Sequence, residues 1–143
     1  MEIEIKQNDG SLTLDIPSSL DEISAALDIA KNFFKQFEVN EIQATKNTVV
    51  LRELLANAIV HGHYCNDRMS VFVKIEHLKK KQFKILVKDG GNGFDYSDLH
   101  LLIAENTDDI QRHGFVLVNV LTEHYEFNGK GNCITVITQR YEE

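Results

Sequence analysis

Glu53-Leu54-Leu55-Ala56-Asn57-Ala58-Ile59-Val60-His61-Gly62 is the stretch on which the fold of this chain turns. Its hydrocarbon residues extend a pattern begun at Ile42, Val49, Val50 and Leu51, so one helix is expected from about Glu41 to His61 or His63. Gly62 is a natural stop, because glycine takes the left-handed C-terminal conformation without a Cβ penalty. Glu53, Asn57 and His61 stand at i, i+4 and i+8 and share one side of that helix. A carboxylate and an amide set among leucine, alanine, isoleucine and valine are costly to bury unless they are paired or meet a ligand. This segment alone leaves two readings open. Either the stripe is the solvent face, like the other polar positions Lys46 and Arg52, or it faces a bound molecule.

Upstream, Ile3 and Ile5, then Leu12, Leu14 and Ile16, alternate with polar residues at strand period. Asn8-Asp9-Gly10 between them reads as a hairpin turn of residues that tolerate positive φ. Pro17 closes the second strand, and Ser19-Leu20-Asp21-Glu22 reads as a capping box. Leu20, Ile23, Leu27, Ala30, Phe34 and Phe37 then recur at steps of three and four, one apolar helix face that Phe33 widens and that ends near Glu38–Asn40.

Downstream, Met69–Glu76 and Phe83–Val87 read as strands around the charged turn His77-Leu78-Lys79-Lys80-Lys81-Gln82. That lysine run is a solvated turn or, alternatively, a contact for an anionic partner. Asp95–Ala104 reads as a short helix, Glu105–His113 as a polar loop and Gly114–Thr122 as a helix. Tyr125–Phe127 and Ile134–Thr138 read as two last strands joined by Asn128-Gly129-Lys130-Gly131-Asn132. This order predicts an α/β (α+β) two-layer sandwich, a mixed, mostly antiparallel sheet with its helices on one face.

With 143 residues, 43% hydrophobic and 26% charged, the chain is expected to be a single globular domain over 1–143. Its 15 basic and 22 acidic residues give a net charge of −7, which lacks the basic surface of a nucleic-acid binder. Met1-Glu2-Ile3-Glu4-Ile5-Lys6 has no apolar signal core. No run approaches the roughly 18 apolar residues of a membrane span, so no membrane partner and a cytoplasmic location are expected. Cys65 and Cys133 form no CxxC and read as two reduced thiols. His61, His63 and Cys65 have a metal-like spacing but no fourth ligand.

Two further segments carry chemistry. Asp89-Gly90-Gly91-Asn92-Gly93-Phe94 follows the strand ending Ile85-Leu86-Val87-Lys88, and its glycines permit close approach of backbone to a ligand. It is neither a Walker A loop nor a dinucleotide fingerprint, and a plain glycine-rich turn is its ordinary reading. Arg112-His113-Gly114-Phe115 stands at an expected helix start, where free amides and the dipole favour an anion and Arg112 and His113 add charge. An ordinary loop-to-helix junction is the alternative there.

Taken in order, these segments resemble the GHKL ATPase superfamily, which includes histidine-kinase catalytic domains, type II topoisomerase and mismatch-repair ATPase domains and certain heat-shock chaperones. Glu53 to Gly62 resembles its N-box, and Asp89-Gly90-Gly91-Asn92-Gly93-Phe94 its first glycine box, D-x-G-x-G-F. Gly114-Phe115-Val116-Leu117-Val118 is similar to the start of the helix after the second glycine box. Gly131 to Val136 is similar to a closing strand turn that often reads G-T-x-V. The resemblance covers about Glu41 to Thr138. Among members, the chain most resembles the stand-alone anti-sigma factor serine/threonine kinases of bacterial partner-switching systems.

The resemblance implies a Bergerat-type fold that binds ATP with Mg²⁺. It implies that Asn57 holds Mg²⁺ through its amide oxygen and that Asp89 accepts a hydrogen bond from the adenine amino group. Gly91 and Gly93 would let the backbone pass close to the nucleotide. Asp95 to His113 would form an ATP lid, with Arg112, His113 and Gly114 near the phosphates. Glu53 would be the general base toward a partner's serine or threonine hydroxyl, or toward water. A carboxylate one helical turn from the metal ligand suits a transfer that needs alignment and charge compensation more than covalent chemistry. His61, a turn further, is a helix-end residue or faces the lid. Implied partners are a sigma factor, a small antagonist protein and a second copy of the chain, paired through the early strand or first helix.

The second glycine box departs from the family's G-x-G-[LI]: Arg112 stands where the first glycine belongs, and Phe115 replaces the aliphatic residue. The preceding Asn106-Thr107-Asp108-Asp109-Ile110-Gln111 is acidic, unfavourable beside a triphosphate unless its carboxylates face away or reach the metal. Arg112 is a candidate to contact the γ-phosphate directly. Two functions are therefore carried forward, an anti-sigma kinase and a non-catalytic, nucleotide-responsive protein-binding module. Glu53 favours the first, since binding alone requires Asn57 and Asp89 but no base. A protein-interaction domain that no longer binds nucleotide is a third. A sensor histidine kinase is not expected, because no histidine precedes His61 and the stretch before the helix is short for a phosphoacceptor helix pair.

Overall fold

The computed structural model describes residues 2–59, 69–90, 110–128 and 132–140. β1 (Glu4–Gln7) and β2 (Ser11–Pro17) form the N-terminal antiparallel hairpin. Its turn is closed by a side chain rather than by positive φ. Asn8 Oδ1 accepts from the Gly10 and Ser11 amides at 3.2 and 3.0 Å and from the Ser11 hydroxyl at 2.8 Å. Neither Asn8 nor Asp9 takes a positive φ; the short amide replaces the backbone acceptor of the turn.

The capping box expected at Ser19 forms only in part. Ser19 Oγ accepts from the Asp21 amide at 3.3 Å, and Leu20–Glu22 is a 3₁₀ turn leading into α1 (Ile23–Lys35). The complete box starts the next helix, α2 (Glu41–Asn57), where the Gln43 amide donates to Asn40 Oδ1 at 2.8 Å and the Asn40 amide donates to Gln43 Oε1 at 3.1 Å. Lys31 and Lys35 of α1 both pair with Glu41 of α2, so α2 starts where α1 ends. Its 17 residues carry it back along the sheet.

β3 (Ser70–His77) and β4 (Phe83–Lys88) follow as a hairpin, then α3 (Ile110–Leu121), β5 (Thr122–Phe127) and β6 (Cys133–Thr138). The sheet order is β1-β2-β3-β4-β6-β5, and every neighbouring pair is antiparallel. Leu12, Leu14 and Ile16, Val71, Val73 and Ile75, Phe83, Ile85 and Val87, and Ile134 and Val136 alternate into one buried face. They pack with Ala30, Phe33 and Phe34 of α1, Val50, Leu51, Leu54 and Leu55 of α2 and Val118 of α3 in a single core. Full burial contributes about 1.5–3 kcal/mol for each large side chain. The molecule is the expected α/β two-layer sandwich. No described helix is long and apolar enough to cross a membrane.

Two expected boundaries are corrected. α3 spans Ile110–Leu121, so the helix expected from Gly114 is already formed at Ile110, with Gly114 in its interior. β5 starts at Thr122 rather than Tyr125, directly after α3, with the Thr122 hydroxyl donating to the Val118 carbonyl at 2.7 Å. His61, Gly91, Gly93 and the helix expected over 95–104 lie outside the described residues.

Candidate nucleotide site

The topology gathers the site elements at one rim of the sheet. Pro17 of β2 pairs with Ser70 of β3, Phe72 with Lys88 at the end of β4, and Lys88 with Cys133 at the start of β6. Asp89 follows directly. α2 starts at the opposite rim and ends at this one, bringing Glu53 and Asn57 with it. α3 ends at the far rim, where Thr122 pairs with Thr138, so its first turn lies toward the Asp89 rim. Arg112 lies in the first described turn of α3, with His113 at its edge. Gly114 lies beyond it, inside the helix, which corrects its expected place at the helix start.

Glu53 and Asn57 are not on the most exposed side of α2. The exposed side of α2 carries Glu41, Ile42, Thr45, Lys46 and Arg52, and the buried side Ala44, Val50, Leu51, Leu54 and Leu55. Glu53 and Asn57 are half-buried on the margin between the two. The Glu53 side chain is 20% exposed against 50% for Arg52, whose guanidinium reaches its carboxylate at 3.3 Å. The helix then widens into a π-type turn at Ala58 and Ile59, an irregularity that recurs at functional sites.

Asp89 is half-buried and anchored through its backbone. Its amide donates to the Asn132 carbonyl at 2.9 Å, and its carbonyl accepts from Asn132 Nδ2 at 3.0 Å. Asn132 and its partner Asn128 were not among the expected site residues. Their signal is the pair of asparagines bracketing Gly129-Lys130-Gly131, which periodicity marks only as a turn. A second unexpected residue is Asn47, in the middle of the buried side of α2 and fully buried. Among the described residues neither its Oδ1 nor its Nδ2 has a hydrogen-bond partner. Cys133, beside Asp89, has its thiol pKa raised by partial burial, against the pull of Lys88 and with the push of Asp89.

A model of the histidine kinase-like ATPase domain matches residues 16–138, from the end of β2 through the end of β6. The chain belongs to this family. ATP binding comes with membership; of the residues expected to hold the nucleotide, Asn57 and Asp89 lie toward the rim where α2 and β4 end, and the backbone of Arg112 lies in the first described turn of α3. The match includes Glu53, Asn57, Asp89 and Arg112 alike. A search of curated proteins found no match to the chain.

Proposed function

We propose that this ATPase domain is an anti-sigma-type serine/threonine protein kinase, which phosphorylates a small antagonist protein and so regulates a sigma factor or a similar partner. The observation that carries the reading is Glu53. It is half-buried one helical turn before Asn57, on the margin of α2 that runs to the Asp89 rim. Nucleotide binding alone gives no reason to hold a carboxylate there.

In this reading Asp89 accepts from the adenine amino group and Gly91 and Gly93 let the chain approach the nucleotide. Arg112 supplies positive charge to the terminal phosphate from the first turn of α3, with the neighbouring His113 and Gly114. Glu53 takes the proton of the incoming serine or threonine hydroxyl as its oxygen attacks the terminal phosphorus of ATP and the bond from that phosphorus to the bridging oxygen breaks, releasing ADP. The donor chemistry at Asn57 fits Mg²⁺, which prefers oxygen and keeps much of its shell as water and substrate phosphate. Among the described residues no group of three His, Cys, Asp or Glu side chains is placed to hold a metal, so phosphate and water would complete the shell. The ion would neutralise phosphate charge.

Arg112 in the place of a glycine favours a second reading, a nucleotide-responsive binding module without turnover. Glu53→Ala separates the two. The kinase reading expects ATP affinity within a few-fold of wild type and phosphotransfer to a cognate antagonist protein reduced about 10²–10⁴-fold, the scale of a lost general base. Unchanged phosphotransfer would reject Glu53 as the base. Wild-type protein that binds Mg-ATP without transferring or hydrolysing it over hours would favour the module.

A further inference from the structure

The hold on Asp89 is more elaborate than strand pairing requires. The β4–β6 ladder ends at Lys88 and Cys133. Beyond it, the bond from the Asp89 amide to the Asn132 carbonyl is an ordinary continuation. The bond from Asn132 Nδ2 to the Asp89 carbonyl is an addition, made by a residue that is 8% exposed.

That side chain is locked in turn. Asn132 Oδ1 accepts from Asn128 Nδ2 at 2.7 Å, and the Asn132 amide donates to Asn128 Oδ1 at 3.0 Å. The Cys133 amide donates to the same Oδ1 at 3.3 Å, and the Asn128 amide donates to the Cys133 carbonyl at 2.9 Å. The Asp89 backbone is thus held by two bonds to one buried residue, itself held by two more.

We propose that Asn132, locked by Asn128, is a positioning residue that aims the Asp89 carboxylate and thereby sets the nucleobase selectivity of the site. The proposal rests on the reading of Asp89 as the acceptor for the base. A carboxylate accepts and does not donate. It therefore favours a purine with an amino group facing it over one with an oxo group there, whose lone pairs would oppose its own. That preference holds only while the carboxylate stays in place, since sites lose discrimination when their supporting groups loosen.

The test is calorimetric titration of the full chain with Mg-ATP and with Mg-GTP, for wild type, Asn132→Ala, Asn128→Ala, Asp89→Asn and the Asp89→Asn/Asn132→Ala double variant. Asn132→Ala is expected to lower ATP affinity by up to about tenfold, the reach of one hydrogen bond, with little change for GTP, so the affinity ratio falls. Asn128→Ala should move the ratio the same way by less, and it carries the test if Asn132→Ala does not fold. In the Asp89→Asn background, Asn132→Ala should cost nothing further, because a residue acting through another is not additive with it. An unchanged ATP-to-GTP ratio, or equal losses for both nucleotides, alongside a loss in Asp89→Asn would overturn the positioning role and leave the reading of Asp89 standing. No effect of Asp89→Asn would overturn both.

Discussion

At the rim where β3 turns into β4, Phe33, Phe34, Phe37 and Phe83 meet edge to face with ring centroids 4.8–6.3 Å apart, and His77 stacks on Phe37 at 4.1 Å. The same rim holds the complete capping box at Asn40, the ion pairs on Glu41 and the bonds from Gln82 Nε2 to Glu123 and the Thr138 carbonyl. Its described polar groups largely answer one another. At the opposite rim Glu53, Asn57 and Asp89 are left half-buried around the ends of α2 and β4, and α2 loses its regular winding at Ala58 and Ile59. One rim is built to close the core; at the other, α2 leaves its regular winding at Ala58 and Ile59, and local departures of this kind are expected where a fold carries function.

This contrast predicts where substitutions act. The largest effect is expected at Phe83, fully buried and in contact with three other aromatic rings besides His77. Phe83→Ala should lower unfolding stability by about 3–5 kcal/mol in urea titration while the folded fraction keeps its ATP affinity. A loss under about 1 kcal/mol would break the assignment of that rim to stability.

Asn47 lies between the two rims, and its orphaned amide costs the fold about 1–3 kcal/mol of uncompensated desolvation. Asn47→Leu, close in shape, should therefore raise the urea midpoint, and a destabilised variant would show that the amide is satisfied in solution. Asn40→Ala removes the side chain that caps α2 and should cost about 1 kcal/mol, read from the same titration, with ATP affinity unchanged.

The smallest effect belongs to Glu41 and its size depends on pH. Hydrogen bonds and charge from Lys31, then Lys35, hold its carboxyl down from 4.5 to about 2. Its folded pKa is thus below its unfolded one, so its contribution is complete above pH 4.5 and fades as pH falls toward 2. Stability curves of wild type and Glu41→Gln should therefore converge across that window. A gap that stays constant through it would remove the pair from the account of this rim.

Much of this contrast was legible in the residues themselves. The alternation of Leu12, Leu14 and Ile16 and the three-and-four steps from Ile23 to Phe37 placed β2 and α1, because each buries one face against the same core. The Glu53–Asn57 stripe was legible for the converse reason: it interrupts that burial. Asn40 escaped notice because Ser19 offers a more familiar capping pattern, although Asn40-Glu41-Ile42-Gln43 has the same spacing. The start of α3 was not legible because Gly114 suggests a boundary, although glycine costs a helix interior only about 1 kcal/mol. Asn132 and Asn128 could not be found by any period, since their roles arise from contacts between β4 and the turn before β6. Asn47 is hidden in the same way: nothing in its sequence neighbours marks it as orphaned.

The central proposal is that the rim joining α2, β4 and α3 is the ATP site of this domain, with Asp89 holding the base and Asn57 the Mg²⁺. Calorimetric titration of Mg-ATP into wild type, Asn57→Ala and Asp89→Asn tests it most directly. The account predicts saturable binding by the wild type, and affinity at least about tenfold weaker in each variant, the loss expected when a hydrogen bond to a charged or buried group goes, with thermal midpoints little changed in the absence of nucleotide. Equal affinity for all three proteins would contradict it.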